Sequence, residues 1–491
     1  MPEIEEKQIY ICHECVDDKF LKKEIWDKGK RRKCTYCKKS RKAVFISVLA
    51  ELVHWAFEEH LCLTTNEPSS LEYAMLRDKE SNYEWIRSGD PVDYFIQVCA
   101  GVDVTIASDV QNYLSMYFGG DPSECLEEDP YGQEACYIEN SPDRYAYEES
   151  WSYFELEITS RARYFSKFAE EILDKLFFNL NSLETLSGNP VIRVAGPATE
   201  VPYVFRARVA QTNDSLHRIL KEPVKELAAP PPEAAKHGRM NAAGISVCYG
   251  ATNAETCIAE VRPPVGSRVV VGRFQILRDI RLLDLNILSE IYVTGSYFDP
   301  DYKDRKGRAA FLQNLVGKLT KPIMPNDETF GYLPTQFVAE YLANKVKPRL
   351  DGIIFNSSQT KGQGQNIVLF QNSCMVEPYN LPKGTIVEIH YDYEGEISIT
   401  EKFPKKPSKP IKSKFNSTIE SHNNLQSNRT ITLRLDLKKD VKVMEIEGVI
   451  YHKSIIKTSR SMRENCPKGN LDFDEAYSIF GDVISKKTIE Y

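Results

Sequence analysis

Three residues with complementary chemistry follow one another at short intervals in the middle of the chain. Arg239 lies in a glycine-flanked loop, Tyr249 follows ten residues later, and Glu260 comes another eleven residues on. A guanidinium can bind phosphate or ribose oxygens with paired hydrogen bonds, an aromatic ring can stack on a flat ligand, and a carboxylate can stabilise a positively charged sugar. This combination indicates a site that grips a nucleotide and breaks a glycosidic bond.

Two arginines earlier in the chain are further candidates for binding phosphate. Arg206 and Arg208 belong to an apolar run that we expect to be a strand. Side chains alternate along a strand, so both should lie on one face, and Arg208 could replace Arg206. Because two phosphates favour two cations, we expect one of these arginines to assist Arg239.

Several smaller polar residues could complete the site. Ser357 and Ser358 follow the apolar run 352–355, where a hydroxyl could bind an amide or a phosphate. No histidine completes a triad with either serine, so we expect no acyl-enzyme. Asn241 and Gln336 could orient the other groups by hydrogen bonds, or they could be capping residues.

Each of the three leading residues also has a structural interpretation. Tyr249 could pack in the core, because tyrosine is common in strands. Arg239 could cap a turn, and Glu260 could lie on the surface at the end of an amphipathic helix. However, Glu260 falls in the otherwise apolar run 257–261, where an unpaired carboxylate would be costly to bury. That position favours a functional role.

Four cysteines near the start of the chain form two Cys-x-x-Cys pairs, Cys12 with Cys15 and Cys34 with Cys37. Their spacing is typical of a tetrahedral zinc site. Four thiolates leave no open coordination position, so we expect the zinc to be structural. Basic residues crowd the same segment, namely Lys28, Lys30, Arg31, Arg32, Lys33, Lys38, Lys39, Arg41 and Lys42. Solvated charge is the commoner explanation for such a run, and a nucleic-acid contact is the alternative.

The pattern of apolar residues predicts an α+β protein with several domains. Apolar residues recur at helical intervals between residues 43 and 188, and after Pro190 short apolar runs separated by glycine and proline favour strands. The expected strands include 201–207, 245–249, 269–274, 352–355, 367–370 and 441–450, and the expected helices include 309–319, 335–343 and 474–480. The expected domains are a zinc-ribbon-like segment at 1–42, an all-helical domain at 43–188, a catalytic domain at 189–400, a linker at 401–429 and a C-terminal segment without an assigned role at 430–491.

Composition and charge limit the classes of protein. The net charge of −7 opposes nucleic-acid binding over the whole chain. The first residues lack the apolar stretch of a secretory signal, and no run approaches the roughly 20 apolar residues of a membrane span. We therefore expect a cytoplasmic protein whose twelve cysteines stay reduced.

In their types and order, these motifs resemble the RES domain family, which is named for its Arg, Glu and Ser positions. The resemblance covers roughly residues 190–395 and rests on the Arg239 loop, Tyr249, Glu260 and the strand before Ser357. It implies an ADP-ribosyltransferase-like mixed sheet with NAD as the substrate, and it favours Ser357 over Ser358. Met240 departs from the tryptophan that many members carry, which we expect to affect packing more than catalysis.

The region ahead of this domain resembles, more weakly, the HEPN-type segment attached to some RES proteins. The arginine and histidine pattern that makes HEPN domains ribonucleases is absent from it, which weakens a nuclease interpretation. The zinc and helical segment could instead sense a trigger or form an oligomer.

The family resemblance implies an NAD glycohydrolase or phosphorylase that acts as a toxin or cell-defence effector, with an antitoxin or regulatory protein. Arg206 and Arg239 would hold the diphosphate and ribose, Tyr249 would stack on the nicotinamide, and Glu260 would stabilise the cationic transition state. One alternative is ADP-ribosyl transfer to a macromolecule. Another is a nucleic-acid-binding protein that uses the zinc ribbon and carries an inactive RES domain.

Overall fold

The computed structural model describes residues 8–78, 80–119, 128–163, 165–321, 323–324, 328–360, 362–393, 395–404 and 430–449. These residues form an α+β fold with a large mixed sheet, so the coarse prediction of an α+β protein is confirmed. The strands are β1 (Tyr10–Cys12), β2 (Lys30–Lys33), β3 (Ser40–Phe45), β4 (Leu61–Leu63), β5 (Asp90–Pro91), β6 (Cys136–Glu139), β7 (Ile192–Ala195), β8 (Tyr203–Ala210), β9 (Cys248–Ala251), β10 (Arg268–Ile276), β11 (Ile280–Asp284), β12 (Gly352–Asn356), β13 (Gln365–Leu369), β14 (Met375–Val376), β15 (Ile386–Tyr391), β16 (Ile397–Lys402), β17 (Ile431–Leu435) and β18 (Val441–Glu445). The helices are α1 (Lys19–Lys28), α2 (Ile46–His60), α3 (Ser70–Arg77), α4 (Val92–Ala100), α5 (Val104–Phe118), α6 (Tyr145–Leu156), α7 (Lys167–Leu176), α8 (Asn213–Lys221), α9 (Pro223–Leu227), α10 (Ala254–Glu260), α11 (Leu285–Leu288), α12 (Tyr302–Thr320), α13 (Glu328–Gly331) and α14 (Leu333–Asn344).

A small antiparallel sheet with the strand order β1-β3-β2 begins the described chain, and α1 packs beside it. The side chain of Asp18 caps α1 by accepting hydrogen bonds from the backbone N–H groups of Phe20 and Leu21. Such a cap satisfies donors that the first turn of a helix otherwise leaves free. The first cysteine pair begins at Cys12, the last residue of β1, and the second begins at Cys34, directly after β2.

The segment predicted to be all-helical also contains strands. Helices α2 to α7 are joined there by a three-stranded antiparallel sheet with the order β4-β6-β5. The expectation of an all-helical domain is therefore wrong. These strands span only two to four residues, which is too short to leave an alternating pattern of apolar residues in the sequence.

A large mixed sheet forms the second half of the described chain. Its order is β14-β17-β10-β8-β9-β13-β12-β11-β7, and β18 also pairs with β10. β8 and β9 share a single residue pair, Phe205 with Ala251, whereas β8 and β10 pair along eight residues. The sheet is therefore narrow at the junction that leads from β8 to the strands carrying the candidate site.

Strand limits differ from the expected ones mainly at β9. The predicted strand 245–249 begins instead at Cys248, because the preceding residues belong to a loop held by side-chain hydrogen bonds. Of the predicted C-terminal elements, β18 occupies the first half of 441–450. Most of the predicted linker, at 405–429, and the predicted helix at 474–480 lie outside the described residues.

The main hydrophobic core crosses the expected domain boundary at residue 188. Tyr147 and Trp151 of α6 pack with Phe311 of α12, in a cluster that also includes residues of α7, α14, β12 and β13. The Tyr147 hydroxyl also donates to the Asp304 carboxylate. Helices that precede the boundary thus share a core with the mixed sheet. In the described chain, no helix is both long and apolar enough to cross a membrane.

Phe311→Ala should destabilise the protein by about 3–5 kcal/mol, because it removes a fully buried ring and leaves a cavity between α6 and α12. Equilibrium denaturation followed by tryptophan fluorescence would measure the change. Phe178→Ala is the control, since Phe178 is 68% exposed and should change stability by less than about 0.5 kcal/mol. Equal effects of the two substitutions would contradict the described core.

Candidate active site and cysteine cluster

Glu260 is the last residue of α10, the helix that follows β9. The side chain of Asn253 caps the start of this helix by accepting a hydrogen bond from the Thr256 backbone N–H at 2.8 Å. Cys257 anchors the helix, because it is buried in a cluster with Ala207 and Val271 of the sheet. The helix is thereby fixed against the sheet, and Glu260 stands at its exposed end.

Two buried side chains hold one oxygen of this carboxylate. Ser357 donates from its hydroxyl to Glu260 Oε1 at 2.6 Å, and Asn366 donates from Nδ2 to the same oxygen at 2.7 Å. Hydrogen bonds to a charged acceptor are stronger than those between neutral groups, so the pair fixes the carboxylate firmly. Among the described residues, Oε2 has no hydrogen-bond donor and is free to accept one from a ligand.

Ser357 rather than its neighbour faces the carboxylate. Ser357 is 1% exposed, and its hydroxyl also accepts a hydrogen bond from the Gln359 backbone N–H. Ser358 is exposed to solvent. The loop returns through Gly364, where an added Cβ would lie 1.8 Å from Thr256 Oγ1. Only glycine permits this approach of the loop to α10.

Asn366 is a site residue that the sequence prediction missed. It lies on β13 and is 8% exposed, and its Oδ1 is buried without a hydrogen-bond partner in the described structure. An unpaired buried oxygen costs free energy, so the bond from Nδ2 to Glu260 is maintained at some expense. A polar residue within the apolar run 366–370 was the only signal in the sequence.

Tyr249 lies on the same face of the sheet as Asn366. Tyr249 pairs with Val368 and Ala251 pairs with Asn366, so Tyr249 and Asn366 are diagonal neighbours, about 7–8 Å apart in such a ladder. The Tyr249 side chain is 38% exposed, and its ring can meet a ligand. Its aromatic surface and the Glu260 carboxylate therefore belong to one region.

The Tyr249 hydroxyl is already engaged within the protein. It accepts a hydrogen bond from the Met240 backbone N–H at 2.9 Å and donates to Asn241 Oδ1 at 2.8 Å. Burial of the hydroxyl raises the pKa of Tyr249 to about 12, so the group remains a donor at neutral pH. The hydroxyl thus ties β9 to the loop, and the ring is the part of Tyr249 left for a ligand.

Arg239 is held by the end of α12. Its Nη1 donates to the carbonyl oxygens of Leu319 at 2.9 Å and of Lys321 at 2.7 Å, and its guanidinium lies 5.4 Å from the centre of the Tyr332 ring. A cation is favourable at a helix C-terminus, where carbonyl groups lack partners. In the structure Arg239 therefore caps the C-terminus of α12, and its Nη1 is bound to the protein.

Asn241 and Gln336 organise the loop around Arg239. Asn241 is 5% exposed, and its Nδ2 lies within hydrogen-bond distance of three loop carbonyl oxygens. Gln336 Nε2 donates to the Gly238 carbonyl at 2.7 Å. At Gly238 an added Cβ would lie 2.8 Å from the Tyr249 hydroxyl oxygen. Both amides therefore hold the backbone of the loop.

Arg206 and Arg208 share one face of β8, as alternation predicts, but it is the opposite face from Tyr249. Phe205 pairs with Ala251, which puts Phe205 on the Tyr249 face and Arg206 on the other. Arg206 is 8% exposed, and its Nη1 lies 3.8 Å from Cys248 Sγ. The expectation that these arginines line one wall with Tyr249 is not met, because the sheet lies between them.

The four cysteines of the N-terminal sheet come together, as their spacing predicts. The Sγ atoms of Cys12, Cys15, Cys34 and Cys37 all lie within 4.8 Å of one another. The Cys12 Sγ atom is 3.6 Å from those of Cys15 and Cys37. Sulfurs around tetrahedral zinc are about 3.8 Å apart, given Zn–S bonds of about 2.3 Å. The cluster can therefore hold a metal ion.

The thiols of the cluster differ in how readily they ionise. Burial raises the pKa of Cys12 and of Cys15, whereas a hydrogen bond from the Lys39 backbone lowers the pKa of Cys37 to about 7. Metal ligands must be thiolates, so a bound cation would offset the cost of ionising the two buried groups.

Residues 212–392 match the RES domain family. The match includes the Arg239 loop, Tyr249, Glu260 and Ser357, and it begins after Arg206 and Arg208. No curated protein and no solved structure matches the chain.

The cysteine cluster should hold one metal ion per chain. Replacing Cys12 and Cys37 together with serine should remove the ion, because two soft ligands are lost. Elemental analysis of the dialysed protein would measure the content. Cys62→Ser is the control, since Cys62 is exposed and lies outside the cluster. Full metal content in the double variant would exclude this site.

Proposed function

We propose that the protein cleaves the bond between nicotinamide and ribose in NAD, as the RES domain at residues 212–392 implies. The observation that carries the proposal is the Glu260 carboxylate, whose Oε1 is held by Ser357 and Asn366 and whose Oε2 has no partner in the described structure. The exposed ring of Tyr249 lies on the same sheet face as Asn366. The corresponding fold proposal is an ADP-ribosyltransferase-like sheet.

Departure of nicotinamide leaves positive charge on the ribose in a transition state that resembles an oxocarbenium ion. A carboxylate fixed in advance stabilises this charge without reorganising during the reaction. In our proposal, Glu260 Oε2 accepts a hydrogen bond from a ribose hydroxyl and stabilises the cationic sugar. Ser357 acts by orienting Glu260, and Tyr249 stacks on the nicotinamide ring.

For the diphosphate we propose Arg239 as the first contact, through the guanidinium nitrogens other than Nη1. The end of α12 holds the Arg239 guanidinium, and the Tyr249 hydroxyl fixes the loop that carries Arg239. The sequence candidates for a second contact, Arg206 and Arg208, are not part of this proposal, because they lie on the sheet face opposite to that of Tyr249.

Water or phosphate would then capture the ribosyl cation, giving a glycohydrolase or a phosphorylase. Ile258 and Ala259, which precede Glu260, supply no polar group that could select a macromolecular acceptor. This favours a small acceptor over ADP-ribosyl transfer. Uncontrolled loss of NAD would harm a cell, so we propose a toxin or defence role under the control of an antitoxin or regulatory protein.

Zinc is the metal that we propose for the cysteine cluster, because it favours four thiolate ligands as close together as these sulfurs are. Four thiolates would leave no coordination position for a substrate. Its role would be to hold the small N-terminal sheet together. A HEPN-type origin of the helices that follow is part of the same proposal and rests on the sequence resemblance alone.

Glu260→Gln should reduce kcat for nicotinamide release by at least about 100-fold, because the variant keeps the size of the side chain and loses its charge. Chromatography of the products formed from NAD, with and without phosphate, would measure the rate and identify the acceptor. Glu255→Gln is the matched control, since Glu255 is an exposed carboxylate in the first turn of the same helix. If wild-type protein released no nicotinamide, or if Glu260→Gln matched it, the proposed function would be wrong.

Asn366→Leu should lower kcat by about tenfold while changing KM for NAD little, because Asn366 positions Glu260 and does not itself reach the ligand. Steady-state kinetics would separate the two constants. Asn344→Leu is the control, since Asn344 is exposed and its side chain bonds only to the Glu340 carbonyl among the described residues. An unchanged kcat in Asn366→Leu would remove Asn366 from the site.

A further inference from the structure

The edge of the N-terminal sheet carries basic side chains on both of its faces, and NAD cleavage does not use them. Four consecutive residues of the edge strand β2, Lys30 to Lys33, are all exposed. On the neighbouring strand β3, Arg41 and Lys42 stand opposite them. We call these six residues, Lys30, Arg31, Arg32, Lys33, Arg41 and Lys42, the basic ladder. No acidic residue occurs between Lys28 and Lys42, although the whole chain has a net charge of −7.

The ladder places like charges directly opposite one another. Arg31 pairs with Lys42, and Arg32 pairs with Arg41, in the antiparallel register of β2 and β3. Like charges at such positions repel and destabilise a sheet. In the described structure, the only carboxylate within 4 Å of a ladder residue is that of Glu14, which lies 3.8 Å from Arg41. The repulsion is therefore largely uncompensated within the protein.

Aromatic rings accompany the charges. The Arg32 guanidinium lies 5.0 Å from the centre of the Tyr10 ring, which is 4.4 Å from the ring of Phe45. On the other face, the Lys42 ammonium lies 5.6 Å from the ring of Trp26. Phe45 is 44% exposed and Trp26 is 50% exposed, so both rings offer surface to a partner.

Exposed rings beside uncompensated cations are the two parts of a surface that binds single-stranded nucleic acid. The cations bind phosphates, and the flat rings stack on bases, which a single strand exposes and a duplex does not. An acidic protein would be attracted by the charges but would gain nothing comparable from the rings. The metal-binding cysteines hold the same sheet and would keep both groups in place.

We propose that the basic ladder, with Phe45 on one face of the sheet and Trp26 on the other, makes this sheet edge a binding surface for single-stranded nucleic acid. The surface is separate from the NAD site. Its ligand is an extended polyanion with unpaired bases. Single-stranded DNA and single-stranded RNA both offer phosphates and exposed bases, so either could bind. Binding there would attach the protein to a nucleic acid through residues and strands that the candidate NAD site does not use.

Fluorescence anisotropy with the full-length protein and labelled single-stranded oligonucleotides, one of DNA and one of RNA, would test the proposal at several salt concentrations. Binding should weaken as the salt concentration rises. The double variant Arg31→Gln/Arg32→Gln should raise Kd about tenfold. It should also reduce the steepness of log binding constant against log salt concentration by about 1.4, which is about 0.7 for each lost phosphate contact. Lys438→Gln/Lys439→Gln is the matched control, because it removes two exposed charges elsewhere and should leave Kd unchanged.

Phe45→Leu tests the stacking part, because leucine retains apolar bulk and lacks an aromatic face. We expect weaker binding of single strands and unchanged nicotinamide release in both the Phe45 and the arginine variants. The proposal would be overturned if the wild type did not bind a single strand at low salt, or if the control variant lost affinity equally. It would also be overturned if polyglutamate bound as tightly as the single strands and Phe45→Leu left the affinity for both unchanged. That result would identify an acidic protein as the partner.

Discussion

The candidate site depends on two hydrogen bonds that converge on one oxygen of Glu260. Their donors, Ser357 and Asn366, lie 97 and 106 residues away in sequence. The end of α10, the loop after β12 and the start of β13 must therefore lie within hydrogen-bond distance of one another. Gly364 allows that meeting, because any larger residue would press the loop into Thr256. A carboxylate fixed in this way has one oxygen committed to the protein and one available for chemistry.

A second set of hydrogen bonds connects this region to the body of the protein. The Tyr249 hydroxyl holds the loop through Met240 and Asn241, and Arg239 in that loop caps α12. The same helix packs through Phe311 against Tyr147 and Trp151 of α6. The helices before residue 188 consequently support the element that positions Arg239.

The sequence was most informative where residue types are constrained by chemistry. The cysteine spacing predicted the four-cysteine cluster, which could hold a metal ion, and the order of Arg, Tyr, Glu and Ser predicted the domain that the family match supports. It was least informative where position depends on pairing in space. Strand alternation correctly placed Arg206 and Arg208 together, but only the register of Phe205 with Ala251 shows that they face away from Tyr249. Asn366 was missed because a single polar residue in an apolar strand carries no periodic signal, and the short strands β4 to β6 were missed for the same reason.

The most direct test of this account is a double-mutant cycle on the rate of nicotinamide release from NAD, using Ser357→Ala and Glu260→Gln. If Ser357 acts by orienting Glu260, its removal should slow the wild-type enzyme and have little further effect once Glu260 has lost its charge. The double variant should then retain the residual rate of Glu260→Gln. Losses that multiply in the double variant would show that the two residues act independently, and would contradict a site built around one positioned carboxylate.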